Sequence, residues 1–149
     1  MSKEKIAIGC DHAGLNLKSI LQADLEAAGY DVVDLGTNTP DSVDYPDFGY
    51  AVARSVDSGE TTRGVLCCGT GIGISMAANR HPSIRAAVVS DATGARFCRE
   101  HNDANVICFG ERLIGAEVAR ECLRVFLNTR FEGGRHEGRV EKLTHPQLS

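Results

Sequence analysis

Short apolar runs rich in β-branched residues alternate along this chain with longer segments whose apolar positions recur every three or four residues. The runs at 6–10, 32–35, 64–67, 85–89 and 105–109 predict five strands. Between the first two, Leu17, Ile20, Leu21, Leu25 and Ala28 recur at helical spacing, and Gly29 supplies a stop. Further helices are predicted over 46–58, 72–80, 91–101 and 115–127, the last with Val118, Cys122, Val125 and Phe126 on one face. Strand and helix in regular alternation imply βαβ units and a parallel sheet covered on both sides. The expected architecture is one α/β domain over 1–149, a Rossmann-like three-layer sandwich around five parallel strands. From about 128 to 149 the chain forms an arm: a Gly pair precedes a polar helix over 135–143 with little apolar face. Such a helix is expected to pack on another subunit or frame a site. No internal repeat or low-complexity tract interrupts the pattern.

Composition narrows the function classes. A chain of 149 residues can bury a substantial core without metal or disulfide support. A net charge of −4 gives no general reason to expect nucleic acid or an acidic membrane as partner, so any bound anion must meet local positive charge. There is no 18-residue apolar span, and charges interrupt the opening MSKEKIAIGCDHAG, which leads us to expect a cytoplasmic protein. The cysteines at 10, 67, 68, 98, 108 and 122 fall in predicted strands and helices with no CxxC pair, the pattern of reduced thiols.

The densest chemistry lies in 66–75, LCCGTGIGIS. Cys68 is placed at the carboxyl end of the third strand, where open α/β sheets hold ligands, and Gly69, Gly71 and Gly73 follow in alternation. A P-loop needs a Lys after its glycines, and none is present. A dinucleotide fingerprint belongs after the first strand with different spacing. A cysteine phosphatase loop would want an Arg where Ile74 stands. What remains is an anion hole beside a thiol, suited to negative charge that develops during a reaction. The plainer alternative is a tight turn with a buried Cys. By strand alternation Cys67 points the other way, into the core.

Three further segments carry candidates. Asp11 and His12 follow the first strand and could face Cys68, although Asp11 is also a natural helix N-cap. His101, Asn102 and Asp103 end the fourth helix, where a His can move protons or simply complement the helix dipole. Arg135 and Arg139 are four apart and suit a phosphate dianion on one helical face, or else a solvated face with Glu132, Glu137 and Glu141. Arg112 adds a cation just after the fifth strand. All four signals are expected at one edge of the sheet.

Taken together, GCDHAG, DYP, CCGTGIGIS, REHNDANVICFGER and EGGRHEGR resemble the ribose/galactose isomerase family, which holds type B ribose-5-phosphate isomerases and galactose-6-phosphate isomerase subunits. The resemblance runs from Ile6 to about Val140 without departure at the motif positions. It implies a cofactor-free and metal-free aldose–ketose isomerisation of a phosphosugar, ribose 5-phosphate to ribulose 5-phosphate, through a cis-enediolate. By the same resemblance Cys68 is the base, the amides from Gly69 through Gly71, Ile72 and Gly73 to Ser75 hold the enediolate, and Thr70 helps move hydroxyl protons. His101, with Asp11 nearby, would open the sugar ring, and Asn102 would bind hydroxyls. His12, Arg112, Arg135 and Arg139 would hold phosphate, with Tyr45 lining the pocket. A homodimer, or a dimer of dimers, is implied, its site built from two subunits. The same apparatus could serve allose 6-phosphate, galactose 6-phosphate or a four-carbon ketose phosphate. A receiver-like sensing module is the distant rival, but it wants an Asp where Cys68 stands and a Lys where Phe109 and Gly110 stand.

Overall fold

The computed structural model describes residues 2–148. Strands β1 (Lys5–Cys10), β2 (Asp31–Asp34), β3 (Arg63–Cys68), β4 (Ala86–Val88) and β5 (Val106–Gly110) form one fully parallel sheet in the order β2-β1-β3-β5-β4. The helices are α1 (Leu15–Ala27), α2 (Tyr45–Asp57), α3 (Ile72–Ala78), α4 (Ala92–Glu100), α5 (Ala116–Asn128) and α6 (Glu137–Thr144). This is the expected Rossmann-like sandwich. Two 3-10 turns, His12–Gly14 and Gly134–His136, precede α1 and α6.

The two faces of the sheet differ because side chains alternate along each strand. Ile6, Ile8, Cys10, Val65, Cys67, Ile107 and Phe109 point to one side and bury against Leu21 and Leu25 of α1, Cys98 of α4 and Phe126 of α5. Ala7, Leu66, Cys68, Val106 and Cys108 point to the other, against Val52 of α2 and Ile74 of α3. Small residues on this second face bring α2 close: a Cβ on Gly64 would lie 2.5 Å from Val52 Cγ1. Cys67 and Cys68 therefore face opposite layers, as alternation demands.

Local signals end the elements as anticipated in most places. α1 stops before Gly29, whose φ of +94° is open to glycine and strained for other residues. The predicted third helix is shorter than read from sequence. α3 ends at Ala78 because the Asn79 side chain pairs with the β4 backbone, donating to the Ala86 carbonyl at 3.0 Å and accepting the Ala86 N–H at 2.7 Å. The polar helix predicted over 135–143 is a 3-10 turn followed by α6, so Arg135 and Arg139 sit in different elements. No residue of α6 is buried.

Candidate active site

Strand order reverses between β1 and β3, and β5 lies next to β3, so the carboxyl ends of these three strands meet in one crevice. Asp11, His12, Tyr45, Cys68, Gly69, Thr70, Ile72, Gly73 and Arg112 line a cleft there of about 390 Å³. Cys68 is the last residue of β3 and is 4% exposed, and the Gly71 N–H donates to its Sγ at 3.0 Å. That contact requires a left-handed turn at Gly71, with φ of +77°. The Ile72 N–H donates to Thr70 Oγ1 at 3.1 Å, and the Ser75 N–H donates to the Gly71 carbonyl at 3.2 Å. The open donors of the cradle are thus the N–H groups of Gly69, Thr70, Gly73 and Ile74, the last two in the first turn of α3, where no intrahelical acceptor exists. Gly71, Ile72 and Ser75 fall outside this set: their amides are spent on Cys68 Sγ, Thr70 Oγ1 and the Gly71 carbonyl, and the Ser75 hydroxyl donates to the Ile72 carbonyl at 2.6 Å, so their place among the anion-holding amides is corrected.

Of the six cysteines, Cys68 alone lines this cleft. Burial pushes the Cys10, Cys98 and Cys122 thiols up to about 11 and raises those of Cys67 and Cys108 well above the ordinary thiol value. Five thiols are thereby kept protonated at neutral pH.

Around the thiol, each side chain is held by a specific contact. Asp11 caps the first turn, its Oδ1 accepting from Ala13 N at 3.0 Å and Gly14 N at 3.2 Å, and it also lines the cleft. His12 Nδ1 accepts the Val43 N–H at 3.1 Å. A backbone N–H can only donate, so the proton of the neutral imidazole resides on Nε2. Tyr45 opens α2 with its ring over Gly73, where a Cβ would lie 2.6 Å from Tyr45 Cε1. Glu111 accepts the Leu17 N–H at 2.7 Å and ties the turn after β5 to α1. Next to it, Arg112 lies against Gly69. Arg63, Arg85, Arg96, Arg99 and Arg120 are ion-paired, whereas Arg112 meets no carboxylate among the described residues.

His101, Asn102, Arg135 and Arg139 are elsewhere, which overturns the expectation of a single edge. α4 starts beyond the carboxyl end of β4 and returns, so its final turn reaches the amino ends of the strands. Asp103 there pairs with Arg85, the residue just before β4, at 3.5 Å. The two edges stand a strand length apart, about 16 Å for five residues. The arm is at this far edge too: Glu132 N donates to the Glu100 carbonyl at 3.0 Å, and His136 stacks on His101 with ring centroids 4.5 Å apart. Phe97 stacks on the other face of His101 at 4.7 Å. Asn102 lines a separate cleft with Arg85 and Leu143.

Donor atoms of His101, Glu132 and His136 lie within 4.8 Å of one another. The imidazoles are face to face, 19° from parallel, so their in-plane lone pairs run alongside each other and do not converge on one point. The trio clamps His101 and is not a preformed metal centre. Sequence reasoning passed over His136, Val43, Glu111 and Lys18; only the buried, helix-facing position of Lys18 in the α1 pattern could have flagged one of them.

A thiol set against open N–H donors, with a tautomer-fixed His and a guanidinium that meets no carboxylate among the described residues, makes at the switch point of a parallel sheet a site suited to an anionic substrate that develops further negative charge as it reacts. Comparison with known proteins agrees. The ribose/galactose isomerase family profile matches residues 6–143, and the chain belongs to that family. It is 46% identical over 141 residues to ribose-5-phosphate isomerase B of Escherichia coli (strain K12), covering 95% of each chain. The solved Clostridium thermocellum ribose-5-phosphate isomerase B superposes with a TM-score of 0.93 at 51% identity, again over 95% of each chain. Relatives with other names occur: D-erythrulose-4-phosphate isomerase of Pectobacterium atrosepticum is 40% identical over 139 residues, covering 93% of this chain and 91% of the relative.

Proposed function

We propose that this isomerase interconverts D-ribose 5-phosphate and D-ribulose 5-phosphate through a cis-enediolate, with Cys68 as the base. The observation that carries the reading is the placement of Cys68 Sγ in the cleft beside the open amides that follow it. The thiolate takes the proton from C2 of the open-chain aldose. Negative charge then appears on the former carbonyl oxygen, where the N–H groups of Gly69, Thr70, Gly73 and Ile74 offer preorganised donors. Thr70 passes the hydroxyl proton between O2 and O1, and the thiol returns its proton to C1. The sugar gains and loses no electrons overall. His12 Nε2–H and the Arg112 guanidinium hold one end of the phosphate.

The remaining group is supplied by a second copy of the chain. In a two-fold dimer, a patch at one edge of one protomer meets a different patch of its partner, and the reverse contact repeats. The Cys68 edge would thus receive the partner's His101 and Asn102 for ring opening and hydroxyl binding, and the partner's Arg135 and Arg139 for phosphate. The exposed α6, which buries nothing within its own chain, gains a packing surface in the same step. A cytoplasmic enzyme of central sugar metabolism fits this chemistry.

Proton NMR in D₂O with ribose 5-phosphate tests the reading: ketose should accumulate while the C2 proton signal disappears and deuterium enters C1. Turnover of D-erythrulose 4-phosphate or allose 6-phosphate alone would overturn the sugar and leave the chemistry standing. Folded protein that turns over none of them would overturn both.

A further inference from the structure

Lys18 has no solvent exposure and, with Phe109 and Phe126, is among the largest fully buried side chains of the described residues, yet the proposed chemistry does not use it. It lies on α1 among Leu17, Leu21 and Leu25, where the helical pattern calls for an apolar residue. An ammonium group buried there loses its hydration, and a hydrophobe of similar size would often be as stable or more so. What the ammonium holds therefore deserves an explanation. Its Nζ donates to Asp34 Oδ1 at 2.7 Å and to Asn38 Oδ1 at 2.8 Å. Asp34 Oδ1 also accepts the Gly36 N–H at 3.0 Å.

These contacts bracket the start of the strap that runs from the end of β2 to α2. The strap lies along the end of β1: Cys10 N donates to the Gly36 carbonyl at 2.7 Å and Thr37 N to the Cys10 carbonyl at 2.8 Å. It finishes at Val43, whose N–H fixes the His12 tautomer, and at Tyr45, which covers Gly73. The far end of the strap therefore borders the cleft, through Tyr45 and the Val43 contact to His12, while its start is tied to Cys10 of β1 and anchored by the buried Lys18.

We propose that Lys18 is a positioning residue: by tethering Asp34 and Asn38 it holds the 34–44 strap so that Val43 keeps His12 as the Nε2–H tautomer, aimed at the substrate phosphate. This rests on the reading of His12 as a phosphate ligand. Lys18 itself touches no substrate. Loss of the tether acts on ground-state binding, because the phosphate is held alike in substrate and transition state, so KM should rise while kcat changes little.

Two variants keep the test independent of folding. Lys18→Met combined with Asp34→Asn removes the pair without stranding a charge, and Asn38→Ala removes the strap's exposed acceptor while leaving the Lys18 ion pair intact. Each is compared with wild type by kinetics on ribose 5-phosphate and by ¹⁵N NMR of the His12 imidazole without substrate. For the double variant we expect KM to rise about tenfold or more, the loss of a charge-assisted hydrogen bond, with kcat within about threefold. The His12 nitrogens should pass from a clean Nε2–H pattern to an averaged one. Asn38→Ala should move both readouts the same way by less. Unchanged KM and unchanged His12 signals in folded double variant would overturn the proposal, as would a loss confined to kcat. The imidazole readout needs no turnover, so a wild-type enzyme inactive on ribose 5-phosphate would refute the substrate and leave the tether still tested.

Discussion

Gly71→Ala puts the thiol cradle under direct strain. At φ of +77° an alanine costs about 1–2 kcal/mol in backbone conformation alone. Its Cβ would lie 2.9 Å from the Phe109 carbonyl carbon, 3.1 Å from that oxygen and 3.2 Å from Gly110 N, all backbone atoms of the buried strand β5. Backbone cannot swing aside as a flexible side chain can, and overpacking of this kind adds about 1–3 kcal/mol. The total of roughly 2–5 kcal/mol corresponds to a fall in Tm of about 4–20 °C for a domain of this size. The loop's cheapest relief is to recoil from β5, which carries the Gly71 N–H away from Cys68 Sγ and should lower kcat by about ten- to a hundredfold, the range for one lost hydrogen bond to a charged group, here the thiolate. Calorimetry and the deuterium-exchange assay read the two effects separately. Gly59→Ala is the matched control: its φ is +82° but a Cβ there meets nothing within 4 Å, so it should show the conformational cost with wild-type kcat. A Gly71→Ala enzyme with wild-type Tm and kcat would refute the argument that this turn supports the chemistry.

Cys68→Ala should retain the fold and lose turnover and C2 proton exchange together; exchange persisting in that variant would remove Cys68 from its role. Iodoacetamide at neutral pH should label one thiol, Cys68, because it alone of the six lines an open cleft, while burial raises the ionisation of the other five; peptide mapping that finds Cys10 or Cys98 labelled first would contradict this. Stability should decline from pH 9 toward about 11. In that window the unfolded chain's thiols have ionised while those of Cys10, Cys98 and Cys122 remain protonated in the fold, so unfolding releases protons and rising pH favours it. Chemical denaturation across this range should find the slope reduced in Cys98→Ala; an equal slope would assign the decline to other groups. Finally, Cys68→Ala and His101→Asn proteins, each inactive, should regain about a quarter of wild-type activity after subunit mixing, since a heterodimer holds one intact site. No recovery in demonstrably exchanged dimers would argue against a site shared between chains.

The strand and helix pattern, the parallel sheet and the concentration of chemistry around Cys68 were legible in the chain because each depends on near neighbours. Alternating β-branched residues choose a strand, Gly29 ends a helix by its own backbone freedom, and the glycines after Cys68 can form a cradle only if they follow it directly. Even the opposite placement of Cys67 and Cys68 follows from the period of a strand. The grouping of His101 with Cys68 failed for a reason the same logic contains: a helix that follows a parallel strand must return to the amino edge, so a His at its end cannot lie beside a Cys at the end of β3 in one chain. Contacts between distant segments were a different matter. Lys18 stands in the apolar stripe of α1, but the two acceptors that let it stay charged there come only from the strap after β2. The Val43 amide that selects the His12 tautomer and the His136 ring stacked on His101 bridge 31 and 35 positions of chain, and no local preference encodes either. Local preference and periodicity made the elements and set a thiol at a strand end; the packing of remote segments decided which buried charge holds the strap, which nitrogen of His12 carries its proton, and which residues a single chain keeps a strand length apart.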